Sequence, residues 1–468
     1  MPRGRGPTPR PPGPPGRFLV GNLQDYEEDR LGFLMAAQAR YGGLVSFDKR
    51  TTIVNDISLA REILKSRDGI FQIRENFLQA RLTDADIEET LRARMLLNPG
   101  LRRTAVEATA PQVARTTREV LRDWDNAGGV DPVPLIEEIT SRAVADYYFG
   151  GDGQALPKPV GALLDALSVV IGNPLALPPG LHSKARRRIR RRHRELKEIV
   201  VPLLCLRESG SEARDDFAAQ VVRSRDPEAG QSLERIADLL IGAMLAAHRV
   251  PAAAGAWLLM LVADHPHVLD RLVEEAHRFA APRRLASCPC PTLLGVGDET
   301  CSGGSDSPRY PFATACVYET LRLYPATWLL ARVAAREVVL GDYAFGAGHH
   351  FLISPYVLHR DEASFEAADS FRPDRWRGRA PSSTGGFMAF GHGQHACPGA
   401  SFAVTVLVTM LLTVVDGWQV NRLPTTVRPN PRTTLLPDGL RLAFISRASA
   451  GPEVLPGVAQ RQGQAVAI

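Results

Sequence analysis

The stretch Phe390-Gly391-His392-Gly393-Gln394-His395-Ala396-Cys397-Pro398-Gly399, within FMAFGHGQHACPGASFAV, sets a cysteine in a glycine-bracketed loop. The apolar run from Ala400 to Val415 reads as a helix, so the Cys397 sulfur lies beside a helix N-terminus. First-turn amides and the macrodipole favour a thiolate there, and such a sulfur is placed to ligate iron. Gly393 and Gly399 stand where a tight loop calls for positive φ or for close backbone approach to a flat ligand. Phe390 can shield that ligand, and His395 can reach a carboxylate on its rim. The plainer alternative is a structural cysteine in a Gly-rich turn, and the motif needs confirming context elsewhere in the chain.

That context exists. Read as F-x-x-G-x-H-x-C-x-G, the loop resembles the haem-binding loop of the cytochrome P450 superfamily, in its soluble, bacterial-type branch. The resemblance implies haem b (iron protoporphyrin IX) as cofactor, with Cys397 as the proximal ligand that pushes electron density onto iron. Upstream, Glu319 and Arg322 in Tyr318-Glu319-Thr320-Leu321-Arg322 share one helix face and can pair. A second arginine, Arg375 of Phe371-Arg372-Pro373-Asp374-Arg375-Trp376, can complete a fork on the same carboxylate. This order resembles the family's E-x-x-R and P-x-R triad, whose role is to lock the proximal side. Arg332 and Arg94 match propionate-binding arginines, although Thr90 stands where Arg94's usual aromatic or histidine companion would be. His359-Arg360-Asp361 also matches. The fold implied is mainly α with a small β region: a single triangular-prism-like domain over 17–447, preceded by a Pro/Gly-rich arm at 1–16, extended or mobile, and followed by a flexible tail at 448–468.

One departure bears on mechanism. From Leu233 to Phe279 the pattern is helical and its centre, Ile241 to Ala263, is apolar almost all round, which marks a buried core helix broken at Asp264-His265-Pro266. It resembles the family's central helix across the distal haem face, which usually carries A-G-x-[D/E]-T. Counting from Trp257 and His265-Pro266 gives Ala246-Ala247-His248-Arg249-Val250-Pro251. Arg249 replaces the acid and Val250 the alcohol, while Ala247 keeps the small position against the haem; His248, Arg249 and Val250 are therefore the candidate catalytic positions with Cys397. Valine has no proton to offer. Pro251 lacks an N–H, which frees the Ala247 carbonyl and predicts a kinked or opened helix. Three readings follow: a monooxygenase whose substrate or ordered water supplies the proton; haem-thiolate chemistry such as rearrangement, dehydration, nitrene-type transfer or peroxide-driven oxidation, with Arg249 on a substrate carboxylate; or a non-catalytic haem-binding scaffold.

The remaining stretches set bounds. The 468 residues are 44% hydrophobic, enough for a large core. Six cysteines in so long a chain make no disulfide framework, which fits a reducing cytoplasm. A net charge of +5 with pI near 9.0 comes mostly from arginine in an Arg/Ala/Gly/Pro-rich chain, so nucleic acid is not expected as a partner. No uninterrupted apolar run reaches membrane-spanning length, so no membrane span is expected. Arg186 to Arg194 holds seven arginines in nine positions, read either as a solvated helix face or as a gate over the pocket entrance. Cys288, Cys290 and Cys301 fall in an irregular stretch, 281–310, read as a surface insertion. Helices are expected from Asp25 to Tyr41 and from Ile57 to Ser66, and a strand pair between Leu44 and Val54. The expected partners are a small biosynthetic substrate of secondary metabolism and, unless peroxide serves, ferredoxin with ferredoxin reductase.

Overall fold

In the computed structural model of the chain the described residues are 10–17, 21–73, 95–122, 124, 128–171, 184–210, 215–228, 230–280, 311–379 and 381–447. Arg94, Thr90, Cys288, Cys290, Cys301 and the tail at 448–468 lie outside them. Residues 10–16 bond to the body of the chain: the Pro12 carbonyl accepts from the Ser46 amide at 2.9 Å, and Asn22 donates to the Pro14 carbonyl as well as to that of Phe47.

The stretch expected as one helix from Asp25 to Tyr41 divides into α1 (Leu23–Glu28) and α2 (Arg30–Tyr41). Asp29 causes the division, because its side chain accepts from the Gly32 amide and caps the second helix. Then come β1 (Leu44–Ser46), β2 (Thr51–Val54), α3 (Ile57–Lys65) and β3 (Phe71–Gln72). The helical body comprises α4 (Arg103–Glu107), α5 (Ala110–Arg122), α6 (Pro132–Phe149), α7 (Pro157–Ile171), α8 (Lys184–Glu208), α9 (Phe217–Ser224), α10 (Leu233–Ala263), α11 (Pro266–Ala280) and α12 (Pro311–Leu323). Strands β4 (Leu330–Ala334), β5 (Val338–Leu340), β6 (Tyr343–Phe345) and β7 (His350–Ile353) follow, then α13 (Pro355–Leu358) and α14 (Ala400–Gly417). The chain closes with β8 (Trp418–Arg422), β9 (Arg428–Pro431), β10 (Leu435–Asp438) and β11 (Leu442–Ser446). The mainly helical architecture with a small β region is as expected.

The largest sheet runs β1-β2-β7-β4-β3, with β2 parallel to β7 and the other neighbours antiparallel. Its register sets Arg332 opposite Phe351. The core is organised around α10. Ser232 caps it, and from Pro251 to Val262 every residue is buried. Trp257 anchors its second half: the indole donates to the Leu435 carbonyl at 2.9 Å and stacks on Tyr324 at 3.8 Å. Helices α10 and α14 are long and apolar enough to cross a membrane, contrary to the sequence expectation, but 78% and 72% of their apolar windows are buried against the rest of the chain. These are core helices by packing.

The arginine-rich helix α8 buries a stripe of Ile189, Leu196, Val200 and Leu204. Arg187, Arg188, Arg190, Arg191 and Arg194 are exposed, and Glu195 pairs with Arg191 and Arg192. The solvated-face reading accounts for this helix.

Candidate active site

The Cys397 loop is held by its own backbone. The Cys397 amide donates to the Phe390 carbonyl at 2.8 Å, closing the loop on itself, and Gly399 stands at the N-cap of α14. Gly391 and Gly393 have φ of 71° and 69°, a region L side chains avoid. Gly393 has the positive φ expected of it, and its tight contact is with protein. A Cβ there would lie 2.2 Å from the Leu64 carbonyl oxygen, so its close approach is to the end of α3, not to a flat ligand, and it does not line the cavity. Gly391, passed over in the sequence, is the left-handed glycine that does. Gly399 also lines it, at an ordinary φ of −88°.

Beneath the loop the triad is assembled as anticipated. Both Glu319 and Arg322 have fully buried side chains. Arg322 donates through Nε and Nη2 to the two Glu319 oxygens at 2.9 Å each, and Arg375 Nε donates to Glu319 Oε1 at 2.9 Å. Two further donors were invisible in the motif: the Arg372 amide and the Trp376 indole, each 2.9 Å from the same carboxylate. Arg322 also donates to the carbonyls of His359, Ala368 and Ser370. His359 then carries the lock to the loop. Its Nδ1 bonds the Arg322 carbonyl at 2.9 Å, its Nε2 accepts the Met388 amide at 2.8 Å, and its ring stacks on Phe387 at 5.4 Å. Those contacts require the neutral Nδ1–H tautomer. Burial pushes the His359 pKa down to about 3.

Above the loop lies a cavity of 290 Å³. A larger groove, 630 Å³, is lined by Glu362, Glu366, Arg372 and Asp374 on the outer side of the triad, and it touches neither the loop nor α10. The 290 Å³ cavity is the chemical one. Its lining takes Phe390, His395, Cys397 and Gly399 from the loop, and Ala243, Ala246, Ala247, Val250, Pro251 and Ala254 from α10. Small side chains on α10 leave a slot between that helix and the thiol. Arg332, buried on β4, and His395 bring basic groups to an otherwise mostly apolar lining. Tyr148 from α6 and Thr327, ahead of β4, are the hydroxyl-bearing residues among the described lining. This donor set fits haem: a soft sulfur for iron, a flat apolar slot, and two bases for peripheral carboxylates.

Two candidate catalytic positions fall elsewhere. Arg249, expected beside the iron, turns away from the cavity into an ion-pair cluster. Its Nε is 2.8 Å from Glu137 Oε1 on α6, its Nη2 is 3.0 Å from Asp165 Oδ1 on α7, and its Nη1 donates to Ser168 at 3.0 Å. Despite partial burial, which works the other way, these carboxylates raise its already high pKa. The cost of an arginine in an apolar helix is met by Glu137 and Asp165, so no substrate anion is called for. His248 is also outside the cavity. Its ring is buried among Ser141, Val144, Leu156 and Met244, its Nδ1 has no hydrogen-bond partner among the described residues, and burial lowers its pKa. The carbonyl of His248 accepts the Thr140 hydroxyl at 3.0 Å. Helix α10 continues through Pro251 without a break in its span.

Comparison with known proteins agrees with this geometry. The chain is 26% identical over 434 residues to cyclooctat-9-en-7-ol 5-monooxygenase of Streptomyces melanosporofaciens, covering 89% of each chain. Cyclooctatin synthase of the same organism is 26% identical over 77% of each. Pentalenene oxygenase of Streptomyces avermitilis is 26% identical over 83% of this chain and 86% of its own. The family model Cytochrome P450 matches residues 11–442, nearly the whole described body together with its thiol loop and its Glu319 lock, and the chain belongs to that family of haem-thiolate oxidoreductases.

Proposed function

We propose that this chain is a haem b monooxygenase, its catalytic domain spanning 17–447, that oxidises an apolar, cyclic substrate of terpenoid secondary metabolism. The observation that carries the reading is the cavity in which the Cys397 thiol meets the alanine-rich face of α10. Haem bound through Cys397 would supply the dioxygen and one-electron chemistry. Phe390 and Gly391 would flank it, and Arg332 and His395 would hold its carboxylates. Arg94 belongs to the same proposal on sequence grounds alone. Ala246, Ala247 and Val250 keep the wall apolar, favouring a hydrocarbon frame and excluding water from it. Val250 cannot relay a proton, so protons enter through a substrate hydroxyl or an ordered water. The relatives named for cyclooctatenol and pentalenene oxidation support a cyclic terpenoid. Ferredoxin and its reductase would deliver the electrons, in the cytoplasm.

The redox-neutral and peroxide-driven readings follow from the missing acid–alcohol pair, and a substrate anion on Arg249 would have added support to them. Its engagement by Glu137 and Asp165 removes that support. The test is spectroscopic. Reduced protein under carbon monoxide should show the red-shifted Soret band characteristic of thiolate-ligated haem, and Cys397→Ala should lose it. A Cys397→Ala protein that keeps the band overturns the reading.

A further inference from the structure

We propose that the outward face of α8 docks this protein on an anionic phospholipid bilayer, as a peripheral contact. The chain's net charge is +5, and the eleven residues from Lys184 to Arg194 alone carry +8, so everything else sums to −3. The basic character of the chain is therefore a local property of one helix. The fold gains nothing from that concentration. Cations in the first turns of a helix oppose its macrodipole, and α8 has no acidic residue in its first turn to answer them. Like charges four residues apart, as in Lys184 and Arg188, Arg187 and Arg191, or Arg190 and Arg194, repel each other.

Basic residues that lean toward the body are paired: Lys197 meets Asp238 of α10 at 2.8 Å, and Arg192 meets Glu195 at 2.8 Å. On the outward face Lys184, Arg187, Arg188, Arg190 and Arg194 are exposed and make no ion pair among the described residues. Arg191 reaches Glu195 at 3.4 Å. The chemistry of this face selects its occupant. Guanidinium groups fork onto phosphate oxygens. Between Lys184 and Arg194 the one large aliphatic side chain, Ile189, is buried, so the face lacks the apolar anchor on which a protein partner closes. A polybasic helix adsorbs to anionic lipid without such an anchor. The buried stripe from Ile189 to Leu204 keeps α8 flat along the body, which suits a plane of headgroups better than the groove of a duplex. No residue of α8 is in the described lining of the Cys397 cavity, so docking there is independent of the haem-thiolate reading.

The test is sedimentation of the full chain with vesicles of equal parts phosphatidylglycerol and phosphatidylcholine, against vesicles of phosphatidylcholine alone. Wild type should bind the anionic vesicles at about 0.05 M salt, leave them at about 0.5 M salt, and ignore the neutral ones. Each arginine near an anionic bilayer is worth roughly five-fold in partitioning, so the combined variant Arg187→Gln, Arg188→Gln, Arg190→Gln, Arg194→Gln should bind about 100-fold more weakly. A control, Arg40→Gln, Arg50→Gln, Arg118→Gln, Arg428→Gln, removes the same charge from scattered exposed positions and should stay within about five-fold of wild type. Both variants should keep the helical circular dichroism of wild type, which makes lost binding a loss of charge and not of fold. Wild type that stays in solution beside anionic vesicles overturns the proposal, as does equal weakening of the two variants. So does a combined variant that binds vesicles like wild type but loses turnover driven by ferredoxin and its reductase, which would assign the face to an acidic protein.

Discussion

Arg249 and Val250 are consecutive in sequence and live in opposite environments, because each step along an α-helix turns the side chain by about 100°. Val250 lines the cavity, and Arg249 points into the seam between α6 and α7. The two neighbouring side chains therefore do separate jobs. Val250→Thr alone returns a hydroxyl to the cavity wall without disturbing the ion pairs. With substrate or ordered water already supplying the proton, the fraction of reductant that ends in product should stay near the wild-type value. Coupling measured as product formed per electron consumed checks this, and a large gain would mean that neither fills the role. Arg249→Asp should act on stability, because it sets a carboxylate beside Glu137 and Asp165; a loss of about 1 to 3 kcal/mol by denaturant titration is expected. The sequence showed the departure at 249 but not its cause. Glu137 and Asp165 lie 112 and 84 residues away along the chain, and only the packing of α6 and α7 on α10 brings them there.

The elements were legible in proportion to how local their determinants are. Helix α10 was readable from its all-round apolar centre and its break at Asp264-His265-Pro266, and α14 from the run after Cys397. The division between α1 and α2 was missed because Asp29 reads as a helix surface residue until its cap bond to Gly32 is seen. The Glu319 fork was readable as a motif, whereas the Trp376 indole and Arg372 amide that finish it are set by how the segment after α13 folds back. Gly393 is the clearest case of a right residue with a wrong partner. Its glycine requirement is a docking contact between the thiol loop and α3, where a methyl group would meet the Leu64 carbonyl at 2.2 Å. Gly393→Ala combines that clash with a left-handed backbone, which alone costs roughly 1–2 kcal/mol. The expected result is a protein that retains its helical circular dichroism but loads little haem, because the loop cannot seat against α3. Full loading of Gly393→Ala would show that the α3 contact does not shape the loop.

Across the whole molecule, the proximal side is one continuous connection. Glu319 holds Arg322, Arg322 bonds His359 through its carbonyl and guanidinium, and His359 holds Met388, two residues before Phe390, whose carbonyl closes the Cys397 loop. Removing one member of a buried pair such as Glu319–Arg322 leaves an uncompensated charge, at about 3–5 kcal/mol, so Glu319→Ala should yield little haem-loaded protein. The same connection predicts acid sensitivity, with its sign fixed by His359. Burial depresses that pKa from 6.5 to about 3, so between those values the unfolded chain binds a proton that the folded chain refuses. The stabilisation is complete above about pH 6.5 and is lost progressively as pH falls toward 3. Protonation would place a hydrogen on Nε2 against the Met388 amide, so the loop should loosen as the fold weakens. His248, His349 and His392 also have lowered pKa values, chiefly through burial, and contribute in the same direction. His359→Asn isolates the one that matters, since asparagine keeps a donor and an acceptor but does not titrate. Between about pH 6 and pH 5, where most carboxylates remain ionised, its stability should fall less steeply than wild type by up to about 1.4 kcal/mol per pH unit, the slope of one proton. Denaturant titrations at several pH values measure both slopes, and equal slopes would remove His359 as the acid-sensitive joint between the buried fork and the cysteine loop.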